Sequence, residues 1–568
     1  MKKYFLLFFL FTACLAANAQ NGNWCWAKSG KGIFNYYDEA YNVATDKAGN
    51  VYVTGWFTSP TLIFGTDTLT NSGGENIFLV KYNPSGNVLW AKAPIRSTSD
   101  PAEGMCIATD NSGNVYLTGH FVSPQITFGS YTLNNNGSWN FFLTKYDPNG
   151  IVLWATAAVK NSAFTTAGLG VSVDKAGNVY ATGYFASNAI TFGNITLSDS
   201  GSTDIFIVKY DSSGTSLWAK SAGGIKTEMS YGVSADNFGN VYIAGSFASS
   251  SITFGTITLS NNSTNGTNLF LTKYDSSGNV IWAKSAGGSN QDFAYSVTTD
   301  IAGNIYLTGG FCSSTIAFGS YSFTNSATTY SDIFLAKYGP SGNVAWAKNA
   351  GGINQDYGYG LSTDTACNIY LVGSFANITS SPYSISFGSV NIPYPAGGYD
   401  PLYIVKFDSS GNSLCGTSLP SGGDDQNGVA TDMSGNAFIA GDYMGSSFSI
   451  GSNIINSPGK ENIFVAKFTC GNCSGGEVVN EIESQKKFSL FPNPNNGKIT
   501  LQYELPKGEQ EGEIILYNTQ GAEVKRYKVD NTFSDLLLDN SQLQAGVYYY
   551  QLTTGRGSIG SKKMIVVK

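Results

Sequence analysis

Five acidic residues stand eight positions ahead of a recurring turn aspartate: Asp38, Glu228, Asp292, Asp356 and Asp424. The second copy of the pattern carries Glu103 one place later, and the third carries Thr166. Carboxylates repeated this way have two uses. Brought together around an axis, they could hold a cation such as Ca²⁺, which takes oxygen ligands. Kept apart, each could cap its own turn by accepting backbone N–H bonds, and this is the favoured reading. Paired carboxylates also hydrolyse glycosides, but no pair here differs from the rest. Histidine chemistry has almost no material. His120 is the single histidine and stands where other copies have Trp56, Tyr184 or Ser246, so it reads as a strand residue. Cys470 and Cys473 make half of a zinc motif with no second pair at matching spacing, which favours a local disulfide or free thiols over metal. No phosphate-binding loop is present, no residue is assigned as catalytic, and no metal site is firm.

The elements that position these residues are repeats. Tryptophans recur every 64 residues, at Trp26, Trp90, Trp154, Trp218, Trp282 and Trp346. The turn Asp-x-x-Gly-Asn, or a near copy, begins at Asp46, Asp110, Asp174, Asp236, Asp300, Asp364 and Asp432. In one unit, residues 231–236, 240–247, 268–275 and 279–284 read as four strands, with a small edge hairpin at 252–259. Gly, Asp and Asn between them supply the turns. The strands are apolar at nearly every position, so both faces of each sheet need cover.

Sheets stacked around an axis give that cover, which predicts an all-β, seven-bladed β-propeller. The chain ends support closure. The seventh copy lacks its Trp strand, and residues 22–28 supply an orphan copy of it. An N-terminal strand completing the last blade removes the open edges a linear stack would leave.

The unit, with its D-x-x-G-N-V-Y, F-L-x-K-Y-D and W-A-K segments, resembles the bacterial β-propeller repeat called SBBP across residues 24–473. Cys367 departs from the turn Gly, Cys415 from the sixth Trp and Tyr443 from the Phe. The resemblance implies a fold and an extracellular or surface setting, but no fixed chemistry.

Composition shifts after Cys473. Residues 474–487 read as a polar linker, and 488–568 as a small β-sandwich of short strands. Pro492, Asn493, Pro494, Gly497, Gly521, Gly546 and Tyr548, with the Lys563–Lys568 strand, resemble the C-terminal sorting domain (type A) of the type IX secretion system. That resemblance implies a Bacteroidetes-type host, the outer-membrane secretion machinery as a partner, and removal of the domain on arrival. At the other end, Lys2 and Lys3, an apolar run to Leu15 and Ala17-Asn18-Ala19 read as a signal peptide over 1–19. The propeller segment 20–473 carries nineteen basic and twenty-eight acidic residues, which argues against nucleic acid. No segment is long enough to span a membrane as a helix.

The expected function is a non-enzymatic binding or adhesion scaffold, secreted or on the cell surface, with a glycan or surface-protein ligand. The alternatives are a secreted polysaccharide hydrolase or lyase using carboxylates at one mouth, and a structural spacer. No cofactor is expected beyond the candidate Ca²⁺.

Overall fold

The computed structural model describes residues 20–473 and 488–567, apart from positions 34, 161–163, 187, 262, 264, 328, 377–382, 396–400, 421–427, 458, 472, 492–497, 504, 506–509, 519–521, 533–534, 540 and 555–556. The expected signal peptide and linker lie outside the described residues, as do Asp424, Pro492, Asn493, Pro494, Gly497 and Gly521. The described elements are all β-strands.

Six four-stranded antiparallel sheets and one five-stranded sheet, in which Gln20–Asn21 adds in parallel beside Ser413–Leu419, make up the propeller unit, here called sheets 1 to 7 in chain order of their first strands. Their first strands are Asp38–Thr45, Ala102–Thr109, Thr166–Val173, Glu228–Ala235, Asp292–Thr299, Asp356–Thr363 and Val429–Thr431. Sheet 4 continues through Val241–Phe247, Asn268–Tyr274 and Val280–Ala286, with the hairpin Ser251–Phe254 and Ile257–Ser260 at its edge. The first strand begins at Glu228, three residues earlier than the sequence reading placed it. A register shift between Ser230 and Gly232 accommodates the longer strand.

The turn after each first strand is built by its aspartate. Asp236 Oδ1 accepts from the Phe238 and Asn240 amides at 2.9 Å each. Its Oδ2 accepts from Asn240 Nδ2 at 2.7 Å and the Tyr242 hydroxyl at 3.0 Å. The turn then needs a left-handed residue, supplied by Gly239 at φ +81°. In sheet 6 the same place holds Cys367 at φ +60°, where a Cβ costs roughly 1–2 kcal/mol. Cys367→Gly is therefore expected to stabilise the protein by about 1 kcal/mol, read as a higher urea midpoint at unchanged slope; an unmoved or lower midpoint would refute this account of the turn.

Neighbouring sheets bury apolar faces against each other. Tyr242, Leu269 and Leu271 of sheet 4 pack with Leu307, Phe311 and Phe334 of sheet 5. Polar stitches add direction. The indole N–H of Trp26, Trp90, Trp154, Trp218, Trp282 and Trp346 donates to a turn carbonyl of the following sheet at 3.1–3.2 Å. Lys81, Lys145, Lys209, Lys273 and Lys337 each donate to a carbonyl of the same kind. On the innermost strands, Thr45 and Thr109 hydroxyls donate to the Thr431 and Thr45 carbonyls, and Thr299, Thr363 and Thr431 continue the belt. Val173 and Ala235 hold that position in sheets 3 and 4 and have no hydroxyl to offer.

The first strands touch in a closed cycle, with Val429–Thr431 of sheet 7 against both Asp356–Thr363 and Asp38–Thr45. The N-terminal strand Asn23–Ser29 completes sheet 7 by pairing antiparallel with Glu461–Thr469. Two disulfides secure this junction. Cys25 bonds Cys473, with Cα atoms 5.3 Å apart. Cys415, which replaces the Trp of sheet 6, bonds Cys470 at a Cα separation of 5.8 Å. Cys470 aligns with Ser409, the residue whose carbonyl takes the preceding Trp stitch. A covalent bond thus stands where an indole hydrogen bond would be. Neither alternative read from the sequence, a local Cys470–Cys473 disulfide or free thiols, is realised, because each of these cysteines lies beside a cysteine on another strand. Cys106, Cys312 and Cys367 are free thiols.

The chain divides after Ser474 into two compact units. The second is a β-sandwich. One sheet holds Phe488–Phe491, Lys498–Tyr503 and Asp535–Asp539, and the other holds Glu523–Asp530, Glu511–Tyr517, Gly546–Thr554 and Gly557–Val566. Leu501, Ile514, Leu516, Tyr550, Leu552 and Met564 share its core. Gly546 opens its strand, and the Tyr548 hydroxyl two residues on donates to Gln544 O at 3.1 Å.

Candidate functional site

The four described recurring acids, Asp38, Glu228, Asp292 and Asp356, are the first residues of innermost strands and are fully buried. Asp38 Oδ1 accepts from the Thr58 and Ser59 amides, and Oδ2 from the Ser59 hydroxyl at 2.7 Å. Asp292 repeats this with the Ser313 amide and hydroxyl, and adds the Gly288 amide. Glu228 takes the Gly224 and Ser249 amides. Asp38, Glu228 and Asp292 therefore tie the entrance of the first strand to the loop after the second, whereas Asp356 accepts only from the Gly352 amide among the described residues. Burial raises all four acids despite these bonds: Asp38 and Asp292 to about 6, Asp356 to about 8, and Glu228 upward. They sit on separate sheets, and among the described residues no three His, Cys, Asp or Glu side chains gather as a metal cluster. Thr166 takes the same place in sheet 3 and donates to Asn140 Oδ1 at 3.0 Å.

The side chains that reach the channel are neighbours of these acids. Tyr41, Met105, Leu169, Tyr231, Tyr295 and Tyr359 occupy one equivalent position on six first strands, and line a central cavity of about 480 Å³. Two places earlier stand Glu39, Glu103, Ala167, Met229, Phe293 and Tyr357. Tyr holds the first of these positions in four of the six sheets, the second varies from sheet to sheet, and the result is a two-sided mouth.

On sheets 4 to 6 the mouth is aromatic. Tyr295 lies 5.4 Å from both Tyr231 and Tyr359, and 5.8 Å from Phe293 and Tyr357, centroid to centroid. All five rings are half-buried, so each still shows surface to solvent. Rings in this state offer flat apolar faces with hydroxyls at the margin.

Across sheets 1 and 2 the mouth is titratable, while sheet 3 offers Ala167 and Leu169. Glu103 pairs across strands with His120, whose Nε2 lies 3.6 Å from Glu103 Oε2. The His120 ring meets Trp139 edge-on at 4.3 Å, and its Nδ1 is buried without a hydrogen-bond partner. Glu75 reaches over from sheet 1 and shares a hydrogen bond with Glu103. Burial first, then the neighbouring carboxylate, pushes Glu75 up to about 7, against the pull of Arg96. Arg96 is largely engaged elsewhere, donating to Asn71 Oδ1 at 2.6 Å and to the Gly73 and Asp100 carbonyls. Trp56 Nε1 donates to the Tyr41 hydroxyl at 2.7 Å beside this group.

Sequence reasoning singled out the buried acids because they recur, and recurrence marks framework. The displaced Glu103 and the exceptional His120, Trp56 and Trp139 were visible as departures from the repeat. Glu75 carried no such signal, since only the docking of sheet 1 on sheet 2 brings it to Glu103.

With this geometry the fold is that of a β-propeller, and comparison with known proteins agrees. Residues 32–56 and 281–309 match the family model described as a beta-propeller repeat, SBBP. Residues 489–567 match the secretion system C-terminal sorting domain. The protein is a β-propeller whose C-terminal type IX secretion system sorting domain marks it for secretion or the cell surface. No helix among the described residues is long and apolar enough to cross a membrane.

A curated relative, an uncharacterized WD repeat-containing protein of Acanthamoeba polyphaga mimivirus, is 26% identical over 498 residues. That alignment spans 72% of this chain and 35% of the relative. Similar solved structures include an ulvan lyase at 9% identity and TM-score 0.33, covering 75% of this chain and 92% of that one. A member of the DUF4221 family from Bacteroides vulgatus matches at 10% identity and TM-score 0.30, covering 80% and 99%.

Proposed function

We propose that the propeller is a glycan-binding scaffold that takes an extended saccharide across the mouth of its channel. The observation that carries this reading is the cluster of half-exposed rings around Tyr295, contributed by three successive sheets. Sugar rings present C–H faces that pack on aromatic planes, and hydroxyls that bond to phenols and carboxylates at the edge. A rigid ring whose framework repeats while its mouth residues vary suits recognition. The open cavity of about 480 Å³ weighs against a pure spacer, whose channel could be filled by side chains.

The test is a glycan array read with the mature propeller, with and without Ca²⁺. Tyr295→Ala is expected to weaken any hit by about tenfold or more, the effect of losing a central aromatic anchor. Tyr131→Ala, on an outer edge hairpin, should leave it unchanged. Equal binding by both variants would sink the mouth as the site, and a flat array would sink the glycan reading.

A second reading, an enzyme acting on polysaccharide, is favoured by the Glu75–Glu103 pair with His120. The two carboxyls touch, closer than the roughly 5–9.5 Å used by glycosidase pairs. They would act as one proton-holding unit beside the histidine. Release of reducing or unsaturated ends from a bound glycan, lost in Glu75→Gln, would establish this reading in place of simple binding.

A further inference from the structure

At the boundary between sheets 5 and 6 the buried polar atoms do not balance. Asp332 opens the strand Asp332–Tyr338 of sheet 5, and Asp356 opens the first strand of sheet 6. They are 1% and 0% exposed. Asp332 Oδ2 accepts from the Ser326 amide and hydroxyl, and Asp356 Oδ2 from the Gly352 amide at 2.8 Å. The Oδ1 atom of each is buried with no hydrogen-bond partner. Asn354, 1% exposed in the loop leading to Asp356, lacks a partner at both amide atoms, and the Tyr383 hydroxyl lacks one too.

Asp332, Asp356 and Tyr383 converge on Gly351 and Gly352, and Asn354 lies in the same loop two residues before Asp356. A Cβ placed on Gly351 would collide with Asp332 Oδ1, and one on Gly352 with the Tyr383 hydroxyl. Two orphaned oxygens thus press on adjacent glycine α-carbons, while the amide between them and the next strand is held by Asp356. Tyr383 lies in the field of both carboxylates.

Asp204 Oδ1 and Asn268 Oδ1, at the two preceding boundaries, are also buried without a partner, but the groups around them differ. Asn268 is the counterpart of Asp332 one sheet earlier, and there Asp292 has both oxygens occupied by Ser313 and Gly288. Asn140 meets Thr166 at another. At the Asp204–Glu228 boundary two acids also meet, but both Glu228 oxygens accept amides, and Lys226 stands where Asn354 does. Only the Asp332–Asp356 boundary combines two acids, an unpartnered amide and an unpartnered phenol among the described residues.

We propose that Asp332, Asn354, Asp356 and Tyr383 form a site for a hard divalent cation, Ca²⁺ by ligand type. Every candidate donor is oxygen: two carboxylates, one amide carbonyl and one phenol. That set suits Ca²⁺, which accepts irregular oxygen cages, better than metals that prefer nitrogen or sulfur. Two positive charges would offset the cost of burying two carboxylates side by side. The site would pin sheet 5 to sheet 6, where the Trp346 stitch already joins them.

The experiment uses the mature full chain stripped with chelator. Ca²⁺ and, separately, Mg²⁺ are titrated by calorimetry, and Tb³⁺ is followed by tyrosine-sensitised emission. One Ca²⁺ per chain and a higher melting temperature with Ca²⁺ are expected. Asp332→Asn, which installs the residue type already present at Asn268, should fold and weaken Ca²⁺ by about tenfold or more. Tyr383→Phe keeps the ring and should lose most of the sensitised emission. Asp292→Asn, at the neighbouring boundary, should leave the ion affinity unchanged. No ion binding, or binding untouched by both Asp332→Asn and Tyr383→Phe, would overturn the site and leave buried water as the partner of these oxygens.

Discussion

Replacing Cys25 and Cys473 together by Ser is expected to lower the stability of the propeller by about 2–5 kcal/mol, the usual cost of removing a native disulfide. The bond joins residues 448 positions apart, so it denies the unfolded chain a large number of conformations. The folded ring loses less, because Asn23–Ser29 still pairs with Glu461–Thr469 and Trp26 still reaches Pro84. The variant should therefore keep its native fold and unfold at lower urea. The Cys415→Ser, Cys470→Ser pair should cost less, since it closes only 55 residues. Urea midpoints under oxidising conditions check both, and equal midpoints for wild type and the Cys25, Cys473 double variant would contradict ring closure through this bond.

Stability should also fall as pH rises from about 4 to about 6. Asp38 and Asp292 are raised from 3.8 to about 6, chiefly by burial. Between these values the folded protein holds protons that the unfolded chain has released. A state that binds more protons is disfavoured as pH rises, so each acid contributes stability below about 4 that is lost by about 6. Two pKa units correspond to about 3 kcal/mol per group. Asp292→Asn removes one of these protons from the balance. Its unfolding free energy should fall by about one proton's worth less across the window, although the variant is less stable at every pH because Asn cannot accept from Gly288, Ser313 N and Ser313 Oγ as Asp292 does. Parallel pH profiles for the two proteins would refute the raised Asp292.

Much of the fold was legible because its framework is repeated. The Asp236–Tyr242 turn, the Trp stitches and the orphan Trp26 strand each recur at a fixed spacing, and repetition exposes what the backbone requires. Even the disulfides have a sequence trace, since Cys415 and Cys470 fall where a Trp and its acceptor turn belong. Their pairing was not legible, because Cys25–Cys473 depends on the N-terminal strand pairing with Glu461–Thr469 and Cys415–Cys470 on the docking of sheet 7 against sheet 6. The site was harder for the same reason. Recurrence pointed to Asp38, Glu228 and Asp292, which the fold consumes as loop ties. The mouth is made by positions that do not recur, such as Glu103, His120, Phe293 and Tyr357, and by Glu75, which arrives from another sheet. Sorting-domain motifs were legible for a different reason: they are short, ordered and local, as at Gly546 and Tyr548.

The most direct test of the mouth is a crystal structure of the mature propeller with an oligosaccharide from the array. The account predicts a sugar ring lying flat on Tyr295, Tyr357 or Phe293, with its hydroxyls turned toward Glu103 and His120. A sugar bound instead on the outer edge hairpins, with the mouth filled only by water, would contradict it.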